Sequence, residues 1–354
     1  MKSDYDSKIY IAGHDGMVGS AIIRTLKMKG YDNIVFKHWT DLDLRSQNEV
    51  DDFFRVERPE YVFLAAAKVG GIQANNTYKA EFIYDNIMIA ANVINAAYKY
   101  GVKKLLNLGS SCIYPKLAPQ PMKEEHLLTG ELEPTNEPYA IAKIAAIKLC
   151  TSFNYQYGTN FLSVMPTNLF GSNDNYNLEQ SHVLPALIRK MILAKALQEK
   201  NYDFMRSDIK RFKIGFGLDE KIEINDIDSI SMALAEIGIT ADYVNIWGSG
   251  NVKREFLHVD DVADACVFFM ENHSWKSMGD FVNLGTGEDN SLKDIAYLIR
   301  EKTGYMGELR FDISKPEGTP RKLLDVSKAS SLGWDYSIAI DKGIEMVIDE
   351  YYLF

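Results

Sequence analysis

Residues 8–20, KIYIAGHDGMVGS, read as a short apolar strand running into Gly13, Gly16 and Gly19, three apart, at the mouth of a helix that starts near Met17. A phosphate-bearing ligand needs this arrangement. Glycines permit a tight turn and a close approach of backbone to pyrophosphate, and the first helical turn offers unsatisfied N–H groups and a favourable dipole. Three glycines alone are a weak signal, since they also make a plain structural turn, and the weight comes from what surrounds them. The apolar runs NIVFKH (33–38), YVFLAAA (61–67) and KLLNLGS (104–110) alternate with longer amphipathic segments. That order predicts repeated βαβ units and a parallel, doubly wound α/β sheet.

Working outward, residues 1–166 are expected to form a Rossmann-like NADP-binding domain. Residues 167–354 are expected to form mainly a smaller substrate-binding domain, with some segments returning to the first. A helix over 81–100 places Phe82, Ile83, Ile87, Ile89, Ala90, Val93, Ile94 and Ala97 at helical spacing on more than one face. It packs either between the sheet and a second subunit or in a deep monomeric core. The stretch 198–243 is long and polar, and connections beyond ~12–15 residues usually carry a function or their own structure. A short hairpin around 215–219 and a helix around 229–237 are expected there.

With 354 residues, 46% of them hydrophobic and 25% charged, the chain can bury the core of one large or two intimate domains. Its net charge of −10 repels nucleic acid and anionic membranes, so neither is an expected partner, and a phosphate must be held by locally placed Arg, Lys or helix N-termini. Cys112, Cys150 and Cys266 are too scattered for a disulfide framework or a metal site, which points to a reducing compartment. MKSDYDSK runs straight into a strand without a signal-peptide stretch, and no run approaches ~20 apolar residues, so a soluble cytoplasmic protein is expected.

The segment KLLNLGSSCIYP sets Ser110, Ser111 and Cys112 at the carboxyl edge of the sheet, where ligands of open α/β folds sit. In EPYAIAK, Pro138 starts a helix, and Tyr139 and Lys143, four apart, share one of its faces. An ammonium near a phenol favours the phenolate. The tyrosine can then exchange a proton with a carbonyl or hydroxyl oxygen while hydride moves at the adjacent carbon. Taken singly, the Tyr/Lys pair is a chance spacing and Ser110 a turn cap; beside the glycine turn they read as an oxidoreductase site. The second strand ends at Lys37 and His38 without the acidic residue that binds ribose hydroxyls, which leans towards NADP(H), although Lys37 reads equally well as a solvated lysine.

GHDGMVGSAI, LAAAKVGGIQANNTY, LGSSCIYPKLAPQPM, EPTNEPYAIAKIAAIKLC, SVMPTNLFG, SHVLPALIRK, WGSG, REFLHVDD and PEGTPRKLLDV together make nearly the whole chain resemble the extended short-chain dehydrogenase/reductase family, and within it the GDP-L-fucose synthase branch. The resemblance implies a GDP-linked 4-keto-6-deoxy sugar, epimerised at C3 and C5 and reduced at C4 with NADPH by a homodimer. It implies Ser110, Tyr139 and Lys143 as the reductase triad and Cys112 and His182 as the epimerisation pair. The 4-keto group acidifies C3 and C5, so a thiolate base and an imidazolium acid on opposite faces would invert them. Without the resemblance both residues read more simply, as a buried strand-end Cys and a helix-start His. Cofactor contacts carry over to Gly13, Gly16, Met17, Val18, Gly19, Lys37, His38, Asp41, Ala65, Ala66, Ala67, Lys143, Pro166, Asn168, Leu169 and His182. Substrate contacts carry over to Ser111, Cys112, Asn168, Lys190, Trp247, Arg254 and Lys322, with the cations neutralising the diphosphate and Trp247 packing on a flat ring. No metal is implied.

Two departures qualify the match. Asp15 stands where the family commonly has an arginine for the 2′-phosphate, and Trp39 at a position that is often basic, so NADP(H) is favoured and NAD(H) stays open. The stretch 198–243 is longer than its counterpart, as if to reshape the sugar pocket for a GDP-linked heptose of a capsular polysaccharide, or to decorate the dimer. The alternatives are a dedicated C4 reductase without epimerase activity, an epimerase or dehydratase that retains NAD, and a non-catalytic nucleotide-sugar sensor. The intact Ser110, Tyr139 and Lys143 set argues against the sensor.

Overall fold

The computed structural model describes residues 1, 5–315 and 318–353, apart from the side chains of Ile72 and Gln73. Pro316 and Glu317 of the PEGTPRKLLDV motif lie outside the described residues. The first part of the chain runs β1 (Ile9–Ala12), α1 (Met17–Met28), β2 (Ile34–Val35), α2 (Gln47–Glu57), β3 (Tyr61–Leu64), α3 (Ile72–Thr77), α4 (Lys79–Lys99), β4 (Lys104–Leu108), α5 (Glu137–Tyr157) and β5 (Phe161–Pro166). There follow β6 (Asn168–Phe170), α6 (Val183–Gln198), α7 (Tyr202–Arg211), α8 (Ile227–Glu236), β7 (Tyr243–Trp247), β8 (Lys253–Arg254), β9 (Phe256–His258), α9 (Val259–Asn272) and α10 (Trp275–Met278). The last elements are β10 (Val282–Leu284), β11 (Asn290–Ser291), α11 (Leu292–Thr303), β12 (Glu308–Asp312), β13 (Arg321–Lys322), α12 (Ser327–Ser331) and α13 (Ile340–Leu353).

Two compact units result: residues 1–173, 255–288 and 323–338, and residues 174–254, 289–322 and 339–354. The first holds a six-stranded sheet in the order β10-β5-β4-β3-β1-β2, every pairing of it parallel. Strand side chains alternate between faces, so Ile9 and Ile11 join one core with Phe63 and Leu106, while Tyr10 and Ala12 join another with Val62, Leu64 and Leu105. Helices α1 and α9 cover the first face and α2, α4 and α5 the second. This double cover is why the strands read as continuous apolar runs. The second unit pairs β7 with β12 in parallel and sets β8 between β11 and β13. Among the described residues no helix is long and apolar enough to cross a membrane.

Two expectations need correction. Strand β2 stops at Val35, so Lys37 and His38 lie beyond it. The edge strand loses its ladder where Phe36 leaves to stack on His14, 4.5 Å between ring centroids. The hairpin expected at 215–219 is instead a compact turn with no flanking strands. Gly215, Phe216 and Gly217 are left-handed in succession, at φ +85°, +56° and +68°. The Asp219 carboxylate accepts from the N–H groups of Ile214 and Gly215, both at 2.8 Å. The helix expected at 229–237 is α8, and α7 is added before it.

That insertion hangs on one cation. Arg189 of α6, fully buried, donates to Asp208 of α7 at 2.8 and 3.1 Å and to the carbonyls of Tyr176, Phe212 and Lys213 at 2.7–2.9 Å. The Tyr351 hydroxyl of α13 donates to the other Asp208 oxygen.

Candidate active site

Sequence order reverses beside β1, with β2 on one side and β3 on the other, and this is where open α/β sheets bind ligands. Gly13 sits there at φ +83°, and a Cβ on it would stand 2.7 Å from the Ala66 backbone just past β3. A Cβ on Gly19 would stand 1.9 Å from the Gly13 carbonyl oxygen. Gly16 caps α1 without any side chain on the first-turn N–H groups, and that turn carries no acidic residue. Met17 and Val18 open the helix, and Ala65, bonded through its N–H to the Ala12 carbonyl at 3.0 Å, leads into Ala66 and Ala67. The buried Nδ1 of His14 has no hydrogen-bond partner. A bare helix N-terminus, a cradle that a single Cβ would fill and an unspent buried nitrogen all fit a dinucleotide. Lys37, His38 and Asp41 are exposed at its edge, where Asp15 lies 3.6 Å from His38 Nε2.

At the end of β4, Ser110 Oγ accepts from the Cys112 N–H at 3.3 Å and so caps the short turn 111–113, in which Ser111 and Cys112 are buried. On α5, Lys143 Nζ donates to the Leu108 carbonyl at 2.8 Å and lies 5.6 Å from the centre of the Tyr139 ring. Burial pushes the Tyr139 phenol far above its ordinary range, and the negative charge of a Cys112 thiolate adds to this. Burial also lowers Lys143 to about 8, with Cys112 pulling the other way. The result at neutral pH is a phenol with a proton to give beside an ammonium able to stabilise the phenolate left behind. Ser110, Cys112, Tyr139 and Lys143 are therefore brought together. Pro166 ends β5; Asn168 and Leu169 lie on β6, and the Asn168 amide donates to the Glu255 carbonyl at 2.9 Å.

The second unit carries the other set. His182 stands exposed at the N-terminus of α6, its side chain making no capping bond. Lys190 Nζ donates to the Asn245 carbonyl at 3.0 Å, and burial lowers it to about 8. Arg254 Nη1 donates to the carbonyls of Lys253 and Thr319, and burial lowers its pKa too. Among the described residues no carboxylate pairs with Lys190 or Arg254. Lys322 of β13 lies in register with Arg254 of β8. In a chain of net charge −10, Lys190, Arg254 and Lys322 are three cations of one unit. Trp247 closes β7 with half its surface exposed.

Elsewhere in REFLHVDD the polar residues are architectural. Glu255 is buried and accepts from the N–H groups of Thr286, Gly287 and Leu324; His258 caps α9; and Asp261 accepts from Ser337 and Ile338. Two residues escaped the sequence reading. Phe82, seen only as core, meets Tyr139 edge-on at 6.3 Å. Phe216 holds a left-handed conformation that costs a bulky residue about 1–2 kcal/mol, and its ring lies 6.4 Å from Trp247. Its one sequence signal was a phenylalanine between two glycines.

Residues 9–207 and 227–285 match the model of the NAD dependent epimerase/dehydratase family, which passes over 208–226. GDP-L-fucose synthase 1 of Arabidopsis thaliana is 48% identical over 99% of this chain and 94% of its own. The crystal structure of a GDP-6-OMe-4-keto-L-xylo-heptose reductase from C. jejuni superposes with a TM-score of 0.91 at 40% identity, covering 99% of this chain and 98% of that one. The GDP-mannoheptose C4 reductase from Campylobacter jejuni with NADP bound gives 0.87 at 40% identity, covering 98% and 99%. By its glycine cradle, its sheet order and these matches, the chain belongs to the NAD dependent epimerase/dehydratase family, within the extended short-chain dehydrogenase/reductases.

Proposed function

We propose that this protein reduces C4 of a GDP-linked 4-keto-6-deoxy sugar with NADPH and also inverts C3 and C5 of that sugar. The observation that carries the reading is the α5 pair, a neutral phenol at Tyr139 beside the buried ammonium of Lys143, facing the β4 end that holds Ser110 and Cys112. The cofactor supplies a hydride. Tyr139 gives its phenolic proton to the C4 oxygen, Ser110 donates a hydrogen bond to the same oxygen, and Lys143 stabilises the phenolate that results. Cys112 takes the C3 and C5 protons and His182 returns protons on the opposite face, while Lys190, Arg254 and Lys322 carry the diphosphate.

A second reading, a dedicated C4 reductase of a GDP-4-keto-heptose, is favoured by the likeness to the two C. jejuni proteins and by the insertion that the family model passes over. We also place the enzyme in the cytoplasm as a homodimer that feeds a surface glycan such as capsular polysaccharide. Half-exposed apolar residues on the outer sides of α4 and α5, Tyr84, Tyr98 and Ile141 among them, support the dimer.

The deciding experiment incubates the protein in deuterated water with NADPH and either GDP-4-keto-6-deoxymannose or its heptose counterpart. NADPH loss with deuterium at C3 and C5 is the expected result, and Cys112→Ser should stop the deuterium uptake while leaving some direct C4 reduction. NADPH loss only with a pre-epimerised 4-keto sugar, and no deuterium, would establish the dedicated reductase instead. Equal loss of both activities in Cys112→Ser would overturn the division of labour.

A further inference from the structure

We infer that the turn 215–217 is a built brace for Trp247, with Phe216 as a positioning residue that sets the affinity for the flat ring of the nucleoside diphosphate. The inference rests on the GDP-sugar reading above. The turn lies wholly within residues 208–226, which the family model passes over.

The turn is held from several directions at once. The Phe216 N–H donates to Glu179 at 2.9 Å, the Asp219 carboxylate takes the Ile214 and Gly215 N–H groups, and a Cβ on Gly215 would stand 2.5 Å from that of Glu179. Only glycine fits at 215, and these hydrogen bonds fix the shape of the turn. That shape holds Phe216 left-handed, and a bulky residue stays in such a conformation only where its surroundings over-determine it. That conformation sets the Phe216 ring 6.4 Å from Trp247 at an interplanar angle of 58°, a tilted packing that leaves no room for a ring between them. Trp247 is thus supported from one side and remains 50% exposed. Lys315 Nζ lies over the same ring, 5.6 Å from its centre, so a base stacking there meets an ammonium suited to the O6 and N7 acceptors of a guanine. An exposed, braced indole with a cation beside it is a stacking platform for a base.

The test uses the full chain with Phe216→Ala, Phe216→Gly and Phe216→Tyr. Calorimetry gives the Kd for GDP, tryptophan emission with Trp247→Phe as reference reports on the platform, and kinetics with the GDP-linked 4-keto sugar separates KM from kcat. Phe216→Ala and Phe216→Gly should each raise Kd and KM about tenfold, the loss of one well-placed stack, with kcat within about twofold. Phe216→Tyr should restore binding. Phe216→Gly also relieves the left-handed strain, so its Tm should hold or rise while its affinity falls, a combination that a merely structural role cannot produce. An unchanged Kd in both truncations, or a loss of kcat matching the rise in KM, overturns the brace. If GDP perturbs Trp247 but no GDP-linked sugar is turned over, the functional reading falls and the brace stands. If the sugar is turned over and Trp247 emission ignores GDP, the brace falls and the functional reading stands.

Discussion

The turns at 13–19 and 215–217 use glycine in the same way and give opposite lessons. Each has a left-handed glycine whose Cβ would run into a neighbour, the Ala66 backbone at Gly13 and the Glu179 side chain at Gly215. The first turn clears space, so that a ligand can lie against bare backbone and a helix N-terminus. The second fills space, pressing an aromatic ring onto another. The first belongs to a pattern that recurs with fixed spacing between a strand and a helix; the second is held by Glu179 and Asp219, whose roles no spacing rule announces.

If the first turn is a cofactor cradle, Gly13→Ala should raise the Kd for NADPH about a hundredfold, since strain of ~1–3 kcal/mol adds to a backbone collision. Titration calorimetry checks this, and a change under threefold would reduce the cradle to an ordinary turn. The two units should also separate by pH. If Lys143, lowered to about 8 by burial, governs proton transfer as proposed, kcat for reduction should fall about fivefold between pH 8 and 9 as its ammonium is lost. Lys190, also about 8, should move KM over the same range, and Lys190→Met should flatten the KM profile while the kcat profile remains. The sign for stability is opposite. The unfolded chain keeps these protons up to the ordinary lysine value of 10.5 while the fold releases them near 8, so in that window the unfolded state binds more protons and rising pH favours the fold.

A smaller effect is expected at the second turn. Gly215→Ala should cost about 1–3 kcal/mol in chemical denaturation and raise KM for the sugar nucleotide several-fold without touching NADPH affinity. Loss of NADPH affinity in that variant would erase the distinction between the turns. The smallest change concerns Asp15, whose carboxylate faces the edge of the cradle. Asp15→Asn should tighten NADPH about two- to fivefold and leave NADH unchanged, because an exposed charge is largely screened. Equal effects on both cofactors would remove Asp15 from the 2′-phosphate environment.

Legibility in the sequence followed how locally each feature is determined. The parallel sheet, α1, α4, α5 and α6 were readable because apolar period and helix starts are properties of neighbouring residues. Tyr139 and Lys143 were readable because one helical turn fixes their spacing. The end of β2 was not, since an edge strand stops where packing, here Phe36 on His14, competes with one ladder. The glycines at 215 and 217 suit a hairpin as well as a closed turn, and the deciding partner, Glu179, lies 37 residues from Phe216. Cys112 and His182 enter as candidates only through family likeness, since a strand-end Cys and a helix-start His announce no chemistry of their own.

Arg189 limits what can be exchanged between relatives. The segment after α6 looks like a detachable cassette, yet its shape depends on an arginine that precedes it and a tyrosine on the last helix. Moving residues 199–226 alone into a homologue would strand Asp208 as a buried carboxylate with neither Arg189 nor Tyr351 to meet it, and the cost of such an orphan is several kcal/mol. Transfer of this insertion is therefore all or nothing: Arg189, Asp208 and Tyr351, distant in sequence, must be present together.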